Sequence, residues 1–135
     1  MAPTLSTEVW LIKSRTNPFP VQGEMTFDDG RVAVTITDGK SCVESMRAHL
    51  EEQTGLPGLK DRLAQGEQVK VLEFAPAEAE VSFPKTAGGY IAKIDTAGKT
   101  WYVAFAYPAG GAITNVMSMN KGRKLAKEWK PVLGA

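Results

Sequence analysis

The sequence predicts one α+β domain: an antiparallel barrel or roll of about seven short strands, capped by a C-terminal helix. Three observations carry this expectation. Two stretches alternate apolar and polar residues around glycine-bearing turns, the pattern of half-buried hairpins. Between residues 41 and 66 the apolar period becomes helical, inside the series of strands. The final stretch, "NKGRKLAKEWKPVLG", splits into an apolar stripe and a basic back when wound as a helix.

Taken in order, "EVWLIKS" (8–14) reads as the first strand, followed by "NPFP", whose Pro18 and Pro20 force an extended link. The tripeptide "NPF" also matches a peptide signal of endocytic adaptors, but three residues recur by chance, and a rigid link is its plain role. In "GEMTFDDGRVAVTIT" (23–37), Met25 and Phe27 alternate with polar residues, Asp29 and Gly30 supply a turn, and Val32, Val34 and Ile36 share one face. "SCVESMRAHLEEQTG" (41–55) offers Ser41 and Glu44 at capping-box spacing, a stripe of Val43, Met46 and Leu50, and Gly55 as a stop. Leu56, Leu59 and Leu63 then predict a shorter helix closed by Gly66.

Short strands follow at "QVKVLEF" (68–74) and "AEVSF" (79–83). The second hairpin spans 88–108, with Tyr90, Ala92 and Ile94 on one strand, Gly98 at the turn, and Trp101, Val103, Phe105 and Tyr107 lining the return. The C-terminal helix is expected over about 113–133. At 100° per residue from Leu125, Trp129 and Val132 fall within about 40° and Leu133 at about 80°, while Arg123, Lys127 and Lys130 lie opposite.

Composition bounds the function. A chain of 135 residues fits one domain and can bury roughly two-thirds of its unfolded surface. With 43% hydrophobic and 23% charged residues it is ordinary globular material. Sixteen basic residues against 15 acidic, net +1, point to no polyanionic partner overall. Charge is nonetheless uneven, because residues 121–130 hold five basic side chains against Glu128 and leave the remainder with 11 basic and 14 acidic. One cysteine, Cys42, allows no internal disulfide, and with one histidine, His49, it cannot supply a zinc site without carboxylates or a second chain; no metal or other cofactor is expected. The start, "MAPTLSTEVWLIKSR", lacks the pattern of a secretory signal, and no apolar run reaches membrane-spanning length. The expected location is the cytoplasm.

Seven strands followed by one amphipathic helix is an order that resembles the pleckstrin-homology-like (PH-like) superfold, including its bacterial and GRAM-like members. The resemblance covers nearly the whole chain and rests on element order, without a diagnostic motif. It implies two antiparallel sheets in a partly open barrel, with the apolar stripe Leu125, Trp129, Val132 and Leu133 plugging one end. The helical insert at about 41–66 departs from that pattern. Phosphoinositide-binding PH domains carry basic residues in the first strands and their connecting loop, where this sequence offers Lys13 and Arg15.

Candidate chemistry is sparse. Cys42 and His49 are seven residues apart, about 10.5 Å along a helix, too far for a nucleophile and its base. Asp28, Asp29, Asp38, Glu51 and Glu52 fall in turns and on a helix face, where solvated acids belong. "TAGGY" and "PAGGAITN" lack phosphate-loop spacing, and Gly110 and Gly111 read as a turn, with anion binding at a following helix as the sharper alternative. Arg123, Lys124, Lys127 and Lys130 form the one candidate anion- or partner-binding face.

The reading is a non-enzymatic binding or protein-interaction module with no catalytic residue assigned, its partner another protein or a second copy of the chain. A small-molecule-binding or enzymatic barrel is the alternative, with a cavity lined by Trp10, Trp101, Tyr102 and the insert. Anionic lipid or nucleic acid on the basic helix face is the third reading, behind the structural role of that helix.

Overall fold

The computed structural model describes residues 4–13, 20–84, 90–106 and 116–134, with the backbone alone for 116–119. Pro18 and Arg15, the Gly110–Gly111 turn, Tyr107, and the first residues expected in the last helix lie outside them.

Two tight turns organise the strands. Asp29 and Gly30 both adopt positive φ, 52° and 76°, and so do Ala97 and Gly98, 51° and 76°. That pair of left-handed residues is the two-residue hairpin turn whose twist matches the flanking strands. The first turn joins β2 (Val21–Asp28) to β3 (Arg31–Asp38), and the second joins β6 (Ile91–Thr96) to β7 (Lys99–Ala104). With β1 (Leu5–Ile12), β4 (Val69–Phe74) and β5 (Ala79–Ser82), they form a seven-stranded antiparallel sheet in the order β4-β3-β2-β1-β7-β6-β5. The sheet is not closed: it is a single seven-stranded sheet with β4 and β5 as its two edges, in place of the two sheets of the expected barrel. The first strand also begins three residues earlier than expected, because Leu5 and Thr7 continue the inward alternation of Val9 and Leu11.

The insert is helical, as its period requires, with corrected ends. Helix α1 spans Glu44–Thr54 and α2 spans Leu59–Ala64. Ser41 does not cap α1. Its backbone N–H donates to Asp38 Oδ1 at 3.3 Å, Val43 occupies the cap position without a side-chain bond, and Glu44 turns to Lys60 Nζ at 2.7 Å. That pairing ties α1 to α2 and holds the Glu44 carboxyl below its ordinary range. Val43, expected on the buried stripe, is 47% exposed, while Met46 and Leu50 are buried. Leu56 is likewise exposed, and Leu59 and Leu63 carry the α2 contact. Gly55 ends α1 in the left-handed conformation, its N–H bonded to Glu51 O.

Helix α3 (Val116–Leu133) closes the structure with the stripe its sequence announces. Trp129 and Leu133 are buried, and Leu125 and Val132 pack half-buried against the same core. Two small residues complete that face. Ala126 is buried, and at Gly122 a Cβ would stand 2.8 Å from the Ala106 Cβ and 3.2 Å from the Tyr90 Cβ, so only glycine lets the helix approach β6 and β7 this closely. One core cluster draws on the strands and all three helices; each fully buried aliphatic side chain in it contributes about 1.5–3 kcal/mol.

A second, smaller cluster lies on the other face of the sheet. Ile12, Ile91 and Ala104 are buried there beneath half-buried Trp10, Tyr90 and Tyr102.

Candidate functional site

The strongest candidate site is a groove where the sheet and α3 part. β1 pairs with β2 from Leu5 to Leu11, but with β7 only from Trp10 to Ile12. Beyond Ala104 the chain leaves β1, with Phe105 N–H bonded to Tyr90 O at 2.8 Å. The first half of β1 thereby faces α3 across a gap of about 370 Å³, lined by Ser6, Thr7, Glu8, Trp10, Phe105, Ala106, Lys121 and Leu125.

The floor is rigid. Trp129 Nε1 donates to Thr7 Oγ1 at 2.9 Å, and the Trp129 and Phe105 rings lie 6.4 Å apart. The apolar walls are Trp10, Phe105 and Leu125, and Ser6, Glu8 and Lys121 stand exposed at the rim. Such a mixture of apolar surface with a few polar groups is what a binding site requires. Two other hollows serve less well. One of about 380 Å³ lies against β5 and the β6–β7 turn, and its side chains are alanine, threonine and charged groups. The other, about 140 Å³, lies beside Trp10, Pro20, Gln22, Asp38, Ser41 and Cys42.

The sequence-derived candidates divide. Arg123, Lys124 and Lys127 are exposed on α3 as expected, and Arg123 donates to Asn120 Oδ1 at 3.2 Å. Lys130 is not on that back: its ammonium sits over the Phe83 ring, 5.2 Å from the centroid. That placement is a cation–π contact beside the core. Glutamine at both Lys124 and Lys127 is expected to shift unfolding free energy by less than about 0.5 kcal/mol, measured from urea midpoints. Lys130→Gln loses about 0.5–1 kcal/mol in the same assay.

The expected cavity of Trp10, Trp101 and Tyr102 is not assembled. Trp101 belongs to the main core, while Tyr102 and Trp10 join the cluster on the opposite face, because successive residues of a strand point to opposite sides. Cys42 precedes α1, buried, and its thiol donates to Val43 O rather than to His49. Burial pushes that thiol up to about 11, opposed by Arg47 and assisted by Asp38, so it stays protonated near neutrality. His49 is shifted down by burial and by Lys13, against the pull of Glu52. Among the described residues, no group of three or more His, Cys, Asp or Glu side chains is placed to hold a metal ion, and no helix is long and apolar enough to cross a membrane.

Sequence reasoning named Trp10, Phe105 and Leu125 for other roles and passed over Ser6, Thr7, Ala106 and Lys121. An earlier start of the first strand was readable from Leu5 and Thr7. No protein-family model, curated protein or solved structure matches this chain.

Proposed function

We propose that the chain is a PH-like binding module of the cytoplasm, not an enzyme, and that it docks another protein in the groove between β1 and α3. The observation that carries this reading is the groove itself: Trp10, Phe105 and Leu125 offer apolar surface beside the polar groups of Ser6, Glu8 and Lys121. Among the described residues, no hydrogen bond pairs the Ser6 or Thr7 hydroxyl in its lining with a histidine or carboxylate that would activate it; the Thr7 oxygen accepts from Trp129 Nε1. The PH-like reading is supported by the seven-strand antiparallel order and by the C-terminal helix that buries Trp129.

Affinity capture from native cell extract with three baits tests the assignment: wild type, Ser6→Trp, and a Lys124→Gln, Lys127→Gln double variant. Ser6 is exposed at the groove rim, so tryptophan there fills the groove while leaving the core intact. The expected result is loss of protein partners from the Ser6→Trp bait alone. Equal capture by Ser6→Trp and wild type overturns the groove, and loss confined to the lysine variant moves binding to the basic face of α3.

A further inference from the structure

The groove contains a row of backbone hydrogen-bonding groups whose direction follows from the sheet register. In an antiparallel ladder, residues alternate between bonding to one neighbour strand and to the other. A two-residue turn is closed by a hydrogen-bonded pair, so Asp28↔Arg31 sets the phase of β2: Thr26 and Glu24 bond to β3, and Phe27, Met25 and Gly23 bond to β1. Their partners on β1 are Leu5, Thr7 and Val9. Ser6 and Glu8 therefore direct N–H and C=O away from β2.

The second hairpin gives the same answer independently. Thr96↔Lys99 closes its turn, so Trp101 and Val103 bond to β6, while Tyr102 and Ala104 bond to β1 through Ile12 and Trp10. Trp10 and Ile12 face β7, and Ser6 and Glu8 share their phase at the point where β7 has departed. Two donors and two acceptors, repeating at about 6.8 Å along the strand, thus point into the groove without a strand partner among the described residues. At the other end of the β1–β7 seam the unpaired edge belongs to β7, and there a backbone group is occupied. The carbonyl of Thr100, of the same phase as Tyr102, accepts from Gln53 Nε2 of α1 at 2.6 Å.

Building on the groove assignment, we propose that its occupant is an extended peptide segment of a partner protein, added to β1 as a strand at Ser6–Glu8. Alternating backbone donors and acceptors at strand spacing are complementary to another strand, whereas a small molecule or a helix satisfies them poorly. The peptide's inward side chains meet Phe105 and Leu125, which calls for an apolar anchor. Its outward neighbours pass between Trp10 and Lys121. α3 forms the other wall through Lys121 and Leu125, so the edge is flanked by a helix and not open on all sides.

Panning the full chain against displayed random peptides, followed by titration of a selected peptide, tests the proposal. Proline at position 8 removes an N–H that points into the groove and leaves the β1–β2 ladder whole, as edge positions tolerate. Glu8→Pro is expected to weaken the peptide about tenfold or more, and Glu8→Ala less than about threefold. Methylating alternate amides of the peptide abolishes binding, a readout that holds even where Glu8→Pro folds poorly. In amide exchange, Ser6 and Glu8 are fast in the free chain beside slow Thr7 and Val9, and they become slow with peptide bound. Binding lost in Ser6→Trp but kept in Glu8→Pro, with indifference to amide methylation, overturns strand pairing and leaves the groove standing. Binding kept in both variants overturns the groove as well. A dimer in sedimentation that Glu8→Pro dissolves assigns the edge to a second copy and overturns the partner peptide, as does failure to select any binder.

Discussion

Trp129→Ala is expected to cost about 3–5 kcal/mol, the largest loss of any single truncation in α3. The indole is 0% exposed, faces Phe105, and spends its N–H on Thr7 Oγ1. Truncation opens a cavity beneath the groove floor and orphans a hydroxyl; a domain with about 5–15 kcal/mol in hand loses a large share of it. Urea unfolding reads the effect as a lower midpoint at unchanged slope. Thr7→Val separates the two contributions, because it removes the hydrogen-bond acceptor at nearly constant volume and is expected to cost about 1–3 kcal/mol by leaving the indole N–H unpaired. A Trp129→Ala loss below about 1 kcal/mol would mean that α3 does not hold the core closed.

Leu63→Ala is expected to cost about 2–5 kcal/mol, although Leu63 lies in a segment that interrupts the sheet series. It is 0% exposed and joins the main core with Met46, Leu50 and Leu59. A Cβ built on Gly39 would stand 2.9 Å from the Leu63 Cβ, so the leucine rests directly on the chain leaving β3. Val43→Ala, on the exposed side of the same insert, is expected to stay within about 0.5 kcal/mol. Equal losses in thermal or urea unfolding for the two would contradict the burial pattern. The insert is thus part of the core wall and not an optional cover.

Much of this was readable in advance, for physical reasons that can be named. Asp29–Gly30 and Gly98 announce hairpin turns because few residues accept positive φ, and the alternation of Val32, Val34 and Ile36 fixes which face is buried. Leu125, Trp129, Val132 and Leu133 mark the inner stripe of α3 because helical winding brings them together. Gly122 and Ala126 escaped notice on that same stripe, since small residues carry no hydrophobic signal and are chosen by closeness of approach. Ser41 and Glu44 had the right spacing for a cap, but Asp38 and Lys60 compete for them, and those partners come from other elements. Lys130 falls outside the basic back because of Phe83, a residue that helical winding cannot see. The groove was hidden most deeply. Its existence depends on where β7 stops pairing with β1, which is decided by packing between segments far apart in the chain.

The narrow seam between β1 and β7 also has a temporal meaning. Every other pairing in the sheet joins strands consecutive in the chain, as two meanders, β1 to β4 and β5 to β7. Trp10–Ile12 against Tyr102–Ala104 alone stitches the two meanders together, bringing the first strand to the last. Closing so long a loop is entropically late in assembly, since local pairings form before distant ones compensate for the ordering they require. The expected order is therefore local hairpins first and the three-pair seam last, which pulse-labelled amide exchange during refolding reads as late protection at Trp10–Ile12. On that order, the first meander waits unjoined until the last strand is available to it.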